Sequence, residues 1–146
     1  PGDTAPVPLA YSIRNRSTAI RVPVNSTAPA KKRIEFRPPD GTANPYLAFS
    51  AMMMAGLDGI QRQLDPGDPL DRDLSKFDSE EKTQLRSVPT TLESAINALD
   101  VDHEFLLQGD VFTVDVLEHW IAAKREEIWE SRARPTPFEY LQYFDS

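Results

Sequence analysis

The pentapeptide Arg33-Ile34-Glu35-Phe36-Arg37, stopped by Pro38 and Pro39, constrains the fold of this chain more than any other stretch. Charged and apolar residues alternate with a period of two. A strand therefore places Arg33, Glu35 and Arg37 on one face and Ile34 and Phe36 on the other. The prolines that follow cannot donate to a ladder, and with Gly41 they end the strand. A sheet face with that charge either meets solvent as a lattice of weak surface ion pairs or meets a ligand. Ile34 and Phe36 are expected to pack, so that shortening them costs stability.

A second extended stretch lies upstream. In "STAIRVPV", Thr18, Ile20 and Val22 share one face, Ala19 and Arg21 share the other, and Pro23 limits the ladder. "NSTAPAKK" is a polar connection between the two. If they pair, Arg21 joins Arg33, Glu35 and Arg37, and "SIRNRS" can bring Arg14 and Arg16 to the same surface, although the register is open.

Beyond Pro39 the periodicity becomes helical, which predicts an α+β fold in one piece, a short antiparallel sheet with several packed helices. Asn44 followed by Pro45 reads as an N-cap with proline at the first helical position. In the helix that follows, Tyr46, Phe49, Met53, Leu57 and Ile60 recur at helical spacing, and most of its circumference is expected to be covered by protein. Its three methionines suit core filling as well as a partner surface. "LDPGDPLDRDL" is a turn-rich acidic connection. Thr90 and Glu93 have capping-box spacing before Leu92, Ile96 and Leu99, a series that continues into "HEFLL". Thr113 is positioned to cap a helix in which Leu117, Trp120, Ile121, Lys124 and Ile128 outline a buried stripe. The aromatic tail "RPTPFEYLQYFDS" folds back on the domain or docks on another subunit.

A formal net charge of −7 disfavours a general nucleic-acid or anionic-membrane binder, while a local arginine cluster still suits a small anion. With no cysteine there are no disulfides, thiolate ligands or cysteine nucleophiles, which fits a reducing compartment. The chain opens on "PGDTAP", without a basic and apolar leader, so neither a signal peptide nor a bilayer-crossing segment is expected. His103 and His119 lack metal-ligand spacing and read as helix-surface or packing residues. There is no glycine-rich phosphate loop, serine-nucleophile motif or internal repeat. Arginine's planar donor fork matches carboxylates and phosphates, so the cluster suits a substrate carrying both. Glu35 either neutralises its arginine neighbours or ligates a hard divalent cation whose shell is completed from elsewhere.

The ordered set "AYSIRNRS", "RIEFRPPDGTANPYLAF", "MMAGLDGI", "DPGDPLDRDL", "DHEFLLQGDVF" and "KREE" resembles the C-terminal part of type I bacterial glutamine synthetases, over essentially the whole chain. The resemblance implies residues 1–146 as a C-terminal segment of the catalytic domain, with the N-terminal domain absent. It implies a cytoplasmic enzyme that joins glutamate and ammonia at the expense of ATP, through γ-glutamyl phosphate, with magnesium or manganese. It also implies a homo-oligomer of two stacked hexameric rings, a dodecamer, when full length. Arg16 matches an arginine that approaches the transferring phosphate and glutamate, and Arg21 matches an ATP-phosphate contact. Arg33 and Arg37 match arginines around phosphate and glutamate, and Glu35 matches a metal-binding carboxylate. Lys31 or Lys32 falls near a nucleotide lysine of the family. Two departures stand out. The family loop "PGYEAP" is "PGDTAP" here, with Thr4 in place of a glutamate and Asp3 beside it, and the adenylylated tyrosine of some relatives falls near Ser75. The missing segments supply most family metal ligands, so the isolated chain is expected to be inactive. A divergent glutamate–amine ligase or a noncatalytic assembly module remains the alternative.

Overall fold

The computed structural model describes residues 8–13, 15–24, 28–72 and 76–144, arranged as two compact units, Pro1–Thr90 and Thr91–Ser146. The expectations for Asp3, Thr4, Arg14 and Ser75 fall outside the described residues.

In the first unit, β1 (Tyr11–Ser12), β2 (Ile20–Arg21) and β3 (Glu35–Phe36) form a sheet in the order β1-β2-β3. The β2–β3 pair is antiparallel, with Ile20 opposite Phe36 and Arg21 opposite Glu35. The β1–β2 pair is parallel, with Tyr11 opposite Ile20, so the sheet is mixed where an antiparallel one was expected. The direction is set in the intervening turn. Ser12 Oγ accepts from Asn15 N at 2.9 Å and Asn15 Oδ1 accepts from Ser17 N at 2.9 Å. These side-chain acceptors fold the backbone twice within a few residues, which lets the chain start again alongside itself. Ile20 N then donates to Ala10 O and Val22 N to Ser12 O. The strands themselves span only Ile20–Arg21 and Glu35–Phe36, so both are shorter than their alternation suggested.

The helix α1 (Pro45–Gln61) starts where Asn44 and Pro45 predict. Asn44 Oδ1 accepts from Tyr46 N at 3.0 Å and Leu47 N at 3.3 Å, satisfying two of the amides that a helix start leaves open. Its apolar stripe is not covered. Met54 is buried, but Tyr46 is 84 % exposed, and Phe49, Met53, Leu57 and Ile60 also face outward. Ile34 is 69 % exposed and Phe36 is exposed too, so the expected packing face of β3 is open. The physical reason is scarcity: one long helix, the short α2 (Ser79–Gln84) and three two-residue strands hold too few apolar neighbours to bury both faces.

In the second unit, α3 (Leu92–Val101) packs on α4 (Val114–Arg132), and Ile96, Leu106, Phe112, Leu117 and Ile121 are buried. The capping box is one residue later than expected. Thr91 Oγ1 accepts from Ser94 N, and Ser94 Oγ accepts from Thr91 N, in place of Thr90 and Glu93. "HEFLL" does not prolong α3 but forms a separate 3-10 segment, Glu104–Asp110, broken at Gln108 and Gly109. Gly109 has φ 66°, a left-handed conformation that glycine adopts without strain. Thr113 occupies the N-cap position of α4 but bonds none of its amides. The α4 stripe buries at Leu117 and Ile121, while Trp120 is exposed and Lys124 lies over its ring at 5.0 Å. His103 Nδ1 lies 3.0 Å from Leu99 O at the end of α3, and His119 Nδ1 lies 2.6 Å from Asp115 O, local roles that match the packing reading. The final helix α5 (Pro137–Tyr143) is exposed along its length. Among the described residues no helix is long and apolar enough to cross a membrane.

Candidate functional site

The β2–β3 register brings the predicted charged face together. With Arg21 opposite Glu35, the Arg21 guanidinium reaches across the pair, and Nη1 donates to Glu35 Oε2 at 3.0 Å. Arg33, two residues before Glu35 on the same side of the chain, donates from Nε at 3.2 Å and Nη2 at 2.9 Å, both to Oε1. One carboxylate thus holds two guanidiniums. The side chains grade outward, Arg21 at 17 % exposure, Glu35 at 29 % and Arg33 at 56 %.

The hydrogen bond from Arg21 holds the Glu35 carboxyl below its ordinary value, with help from the Arg33 hydrogen bond and both guanidinium charges, against partial burial that pushes it up. Glu35 is therefore a carboxylate at neutral pH. Two cations share one anion, which leaves this face net positive. Arg37 follows on β3's course, its backbone N donating to Ala19 O at 2.9 Å. The Nε atoms of Arg21 and Arg37 are shielded from solvent and have no hydrogen-bond partner among the described residues. Such donors are costly to leave unpaired, and each has capacity for an acceptor. Arg16 is exposed on the turn after β1 and makes no ion pair with the Glu35 cluster among the described residues. The structure thus joins Arg21, Arg33 and Glu35, sets Arg37 beside them, and leaves Arg16 on a neighbouring loop.

For a divalent cation, Glu35 offers fitting chemistry as a single donor. A carboxylate presents about four lone-pair sites, and the arginines occupy three of them. Among the described residues no group of three or more His, Cys, Asp or Glu side chains is placed to hold a metal, so any metal shell that includes Glu35 would need donors from elsewhere.

What sequence reasoning missed is the support beneath this loop. The acidic connection 65–72 runs along β1 as a strap. Tyr11 OH donates to Gly67 O at 2.9 Å, and Leu70 N donates to Tyr11 O at 2.8 Å. Asp71 Oδ1 accepts from Ser12 Oγ at 2.6 Å and from Ile13 N at 2.9 Å, and Asn15 Nδ2 donates to Arg72 O at 3.2 Å. Gly67, with φ 72°, makes the sharp bend at which the strap begins. The density of carboxylates and turn residues in "DPGDPLDRDL" was the available signal, but nothing local says which backbone amide each carboxylate caps.

The family model described as the glutamine synthetase catalytic domain matches residues 1–143. The chain is 52 % identical over 146 residues to a glutamine synthetase of Streptomyces viridochromogenes, and 52 % identical over 145 residues to one of Aquifex aeolicus. In both cases it covers 99 % of this chain and 31 % of the relative, so the chain spans about a third of the length of the curated relatives it matches. Among solved structures, a Plasmodium falciparum glutamine synthetase superposes with a TM-score of 0.81 at 26 % identity, over 97 % of this chain and 35 % of that one. GmaS in complex with ADP superposes with a TM-score of 0.78 at 30 % identity, over 99 % and 31 %. The chain belongs to the glutamine synthetase catalytic-domain family.

Proposed function

We propose that this chain is the C-terminal part of an ATP-dependent glutamate–ammonia ligase that forms glutamine through γ-glutamyl phosphate, and that it is inactive alone. The observation that carries the reading is the Arg21–Glu35–Arg33 cluster, in a member of this family, with a further shielded Nε at Arg37, unpaired among the described residues. Arg21, Arg33 and Arg16 bind phosphate oxygens, and Arg16 and Arg37 hold glutamate. The similarity to GmaS, a protein solved in complex with ADP, supports nucleotide binding by the longer protein.

The chemistry asked of these residues is positioning and charge neutralisation. The planar guanidinium forks receive phosphate and carboxylate oxygens in two-point contacts, which fixes the acceptor carboxylate in line with the departing phosphate. Glu35 keeps Arg21 and Arg33 oriented before any ligand arrives, so little reorganisation accompanies binding. It would also supply one oxygen to a magnesium or manganese ion, which would neutralise phosphate charge. The remaining donors belong to the part of the protein outside this chain. The whole protein is a homo-oligomer, with a dodecamer as the specific expectation.

In the longer protein, Arg21→Ala and Arg33→Ala should each lower ATP-dependent glutamine formation by about 10²-fold, the scale of a lost charge-stabilising donor. Thermal midpoints should stay near the parent's, because both pairs are partly exposed. Parent-level turnover in either folded variant would refute the assignment. Thr4, where the resembling loop carries glutamate, favours a second reading, a ligase for another amine. Phosphate release measured with ammonia and with a panel of amines separates the two.

A further inference from the structure

The turn after β1 carries Arg16 and is shaped by bonds of its own, from Asn15 N to Ser12 and from Ser17 N to Asn15. It is also braced from Asp71, 59 positions beyond Ser12. Ser12 is fully buried, and its hydroxyl donates to Asp71 while accepting from the Asn15 amide, so one hydroxyl couples the strap to the turn. The Ile13 amide is held by the same carboxylate oxygen. Asn15, the residue before Arg16, is pinned from both ends of its side chain, to Ser17 N and to Arg72 O.

From this geometry we infer that Asp71 is a positioning residue for Arg16: the 65–72 connection is a strap that sets the Arg16 turn for phosphoryl transfer. The inference rests on the role proposed for Arg16 above. The physical argument is that an arginine on an exposed turn has a long, entropically free side chain, so its effectiveness depends on how firmly its backbone is anchored. Here the anchor is a charge-assisted pair of hydrogen bonds converging on one oxygen, at a point where the adjoining hydroxyl is cut off from water. Loss of that oxygen leaves the buried Ser12 hydroxyl and the Ile13 amide without this acceptor, and the turn is then free to settle elsewhere.

The test is a double-mutant cycle in the longer protein that contains this segment, reading kcat for ATP-dependent glutamine formation together with thermal midpoints. Asp71→Ala should lower kcat by about tenfold or more, as expected when a reacting group is displaced by a fraction of an ångström to an ångström. Asp71→Asn keeps an oxygen acceptor and should stay within about threefold of the parent. In an Arg16→Ala background the same Asp71→Ala change should cost less than about twofold, because its effect passes through Arg16. A merely structural role would instead lower kcat by the same factor in both backgrounds, and that result overturns the inference. So does parent-level kcat in folded Asp71→Ala, or a loss in Asp71→Asn as large as in Asp71→Ala. If Asp71→Ala does not fold, Ser12→Ala takes its place in the cycle under the same criteria. Parent-level kcat in Arg16→Ala overturns the role of Arg16 and the inference with it. A strong loss there, combined with an independent loss from Asp71→Ala, overturns the inference alone.

Discussion

Glu35 is the residue on which the charged face depends, because without its carboxylate Arg21, Arg33 and Arg37 would repel one another. Its titration gives a direct check. The folded value lies below the ordinary 4.5 of the free side chain, chiefly through the Arg21 hydrogen bond, so pairing favours the folded state at pH above that value. The contribution fades as pH falls through the lower, folded value, and it is fully present at neutrality. An NMR titration of the Glu35 carboxyl should therefore show a midpoint under 4.5. Arg21→Ala should move it back toward the free value further than Arg33→Ala, since Arg21 is the larger cause and the more buried partner. A midpoint at or above the free value would mean that the two guanidiniums do not hold the carboxylate in solution.

At the scale of elements, α1 is set by a cap that two residues announce. Asn44→Ala removes an acceptor for two amides and should cost about 1 kcal/mol, read from denaturant unfolding, with fraying confined to the first turn. An unchanged midpoint would show that α1 is held by other means. This element was legible in the sequence because a cap is local: Asn44, Pro45 and the apolar spacing lie within one turn of each other. The charged face was legible for a related reason, since alternation fixes which side chains share a side once Arg21 faces Glu35. The capping box slipped by one because adjacent threonines, Thr90 and Thr91, each have a suitable residue three places on. The parallel β1–β2 pairing was not legible at all. Its direction follows from side-chain acceptors inside the turn, Ser12 and Asn15, that Asp71 braces from far along the chain, and such bonds leave no periodicity to read. Burial was misjudged on α1 and β3 because apolar spacing states which face seeks cover, never whether the same chain supplies it.

For the whole molecule, the outward faces of α1, β3 and α5 and the one-third span of the relatives fit together. Tyr46, Phe49, Met53 and Ile60 form a stripe that a free domain would not keep in water, and the share of the relatives outside this chain is large enough to cover it. The purified 146-residue chain should give no ATP-dependent glutamine formation and should bind an apolar dye or self-associate. Robust turnover by the chain alone would overturn the claim that further segments complete the site. The bare α1 stripe also has a consequence for anyone improving this chain by selection. A screen for soluble expression of these residues alone would favour Tyr46→Ser, Phe49→Glu or Ile60→Lys, since each removes a sticky patch at no cost to anything the screen can sense. In a larger protein that covers this stripe, every such winner would place a polar group at a dry contact, so fitness measured on the part would run opposite in sign to fitness of the whole.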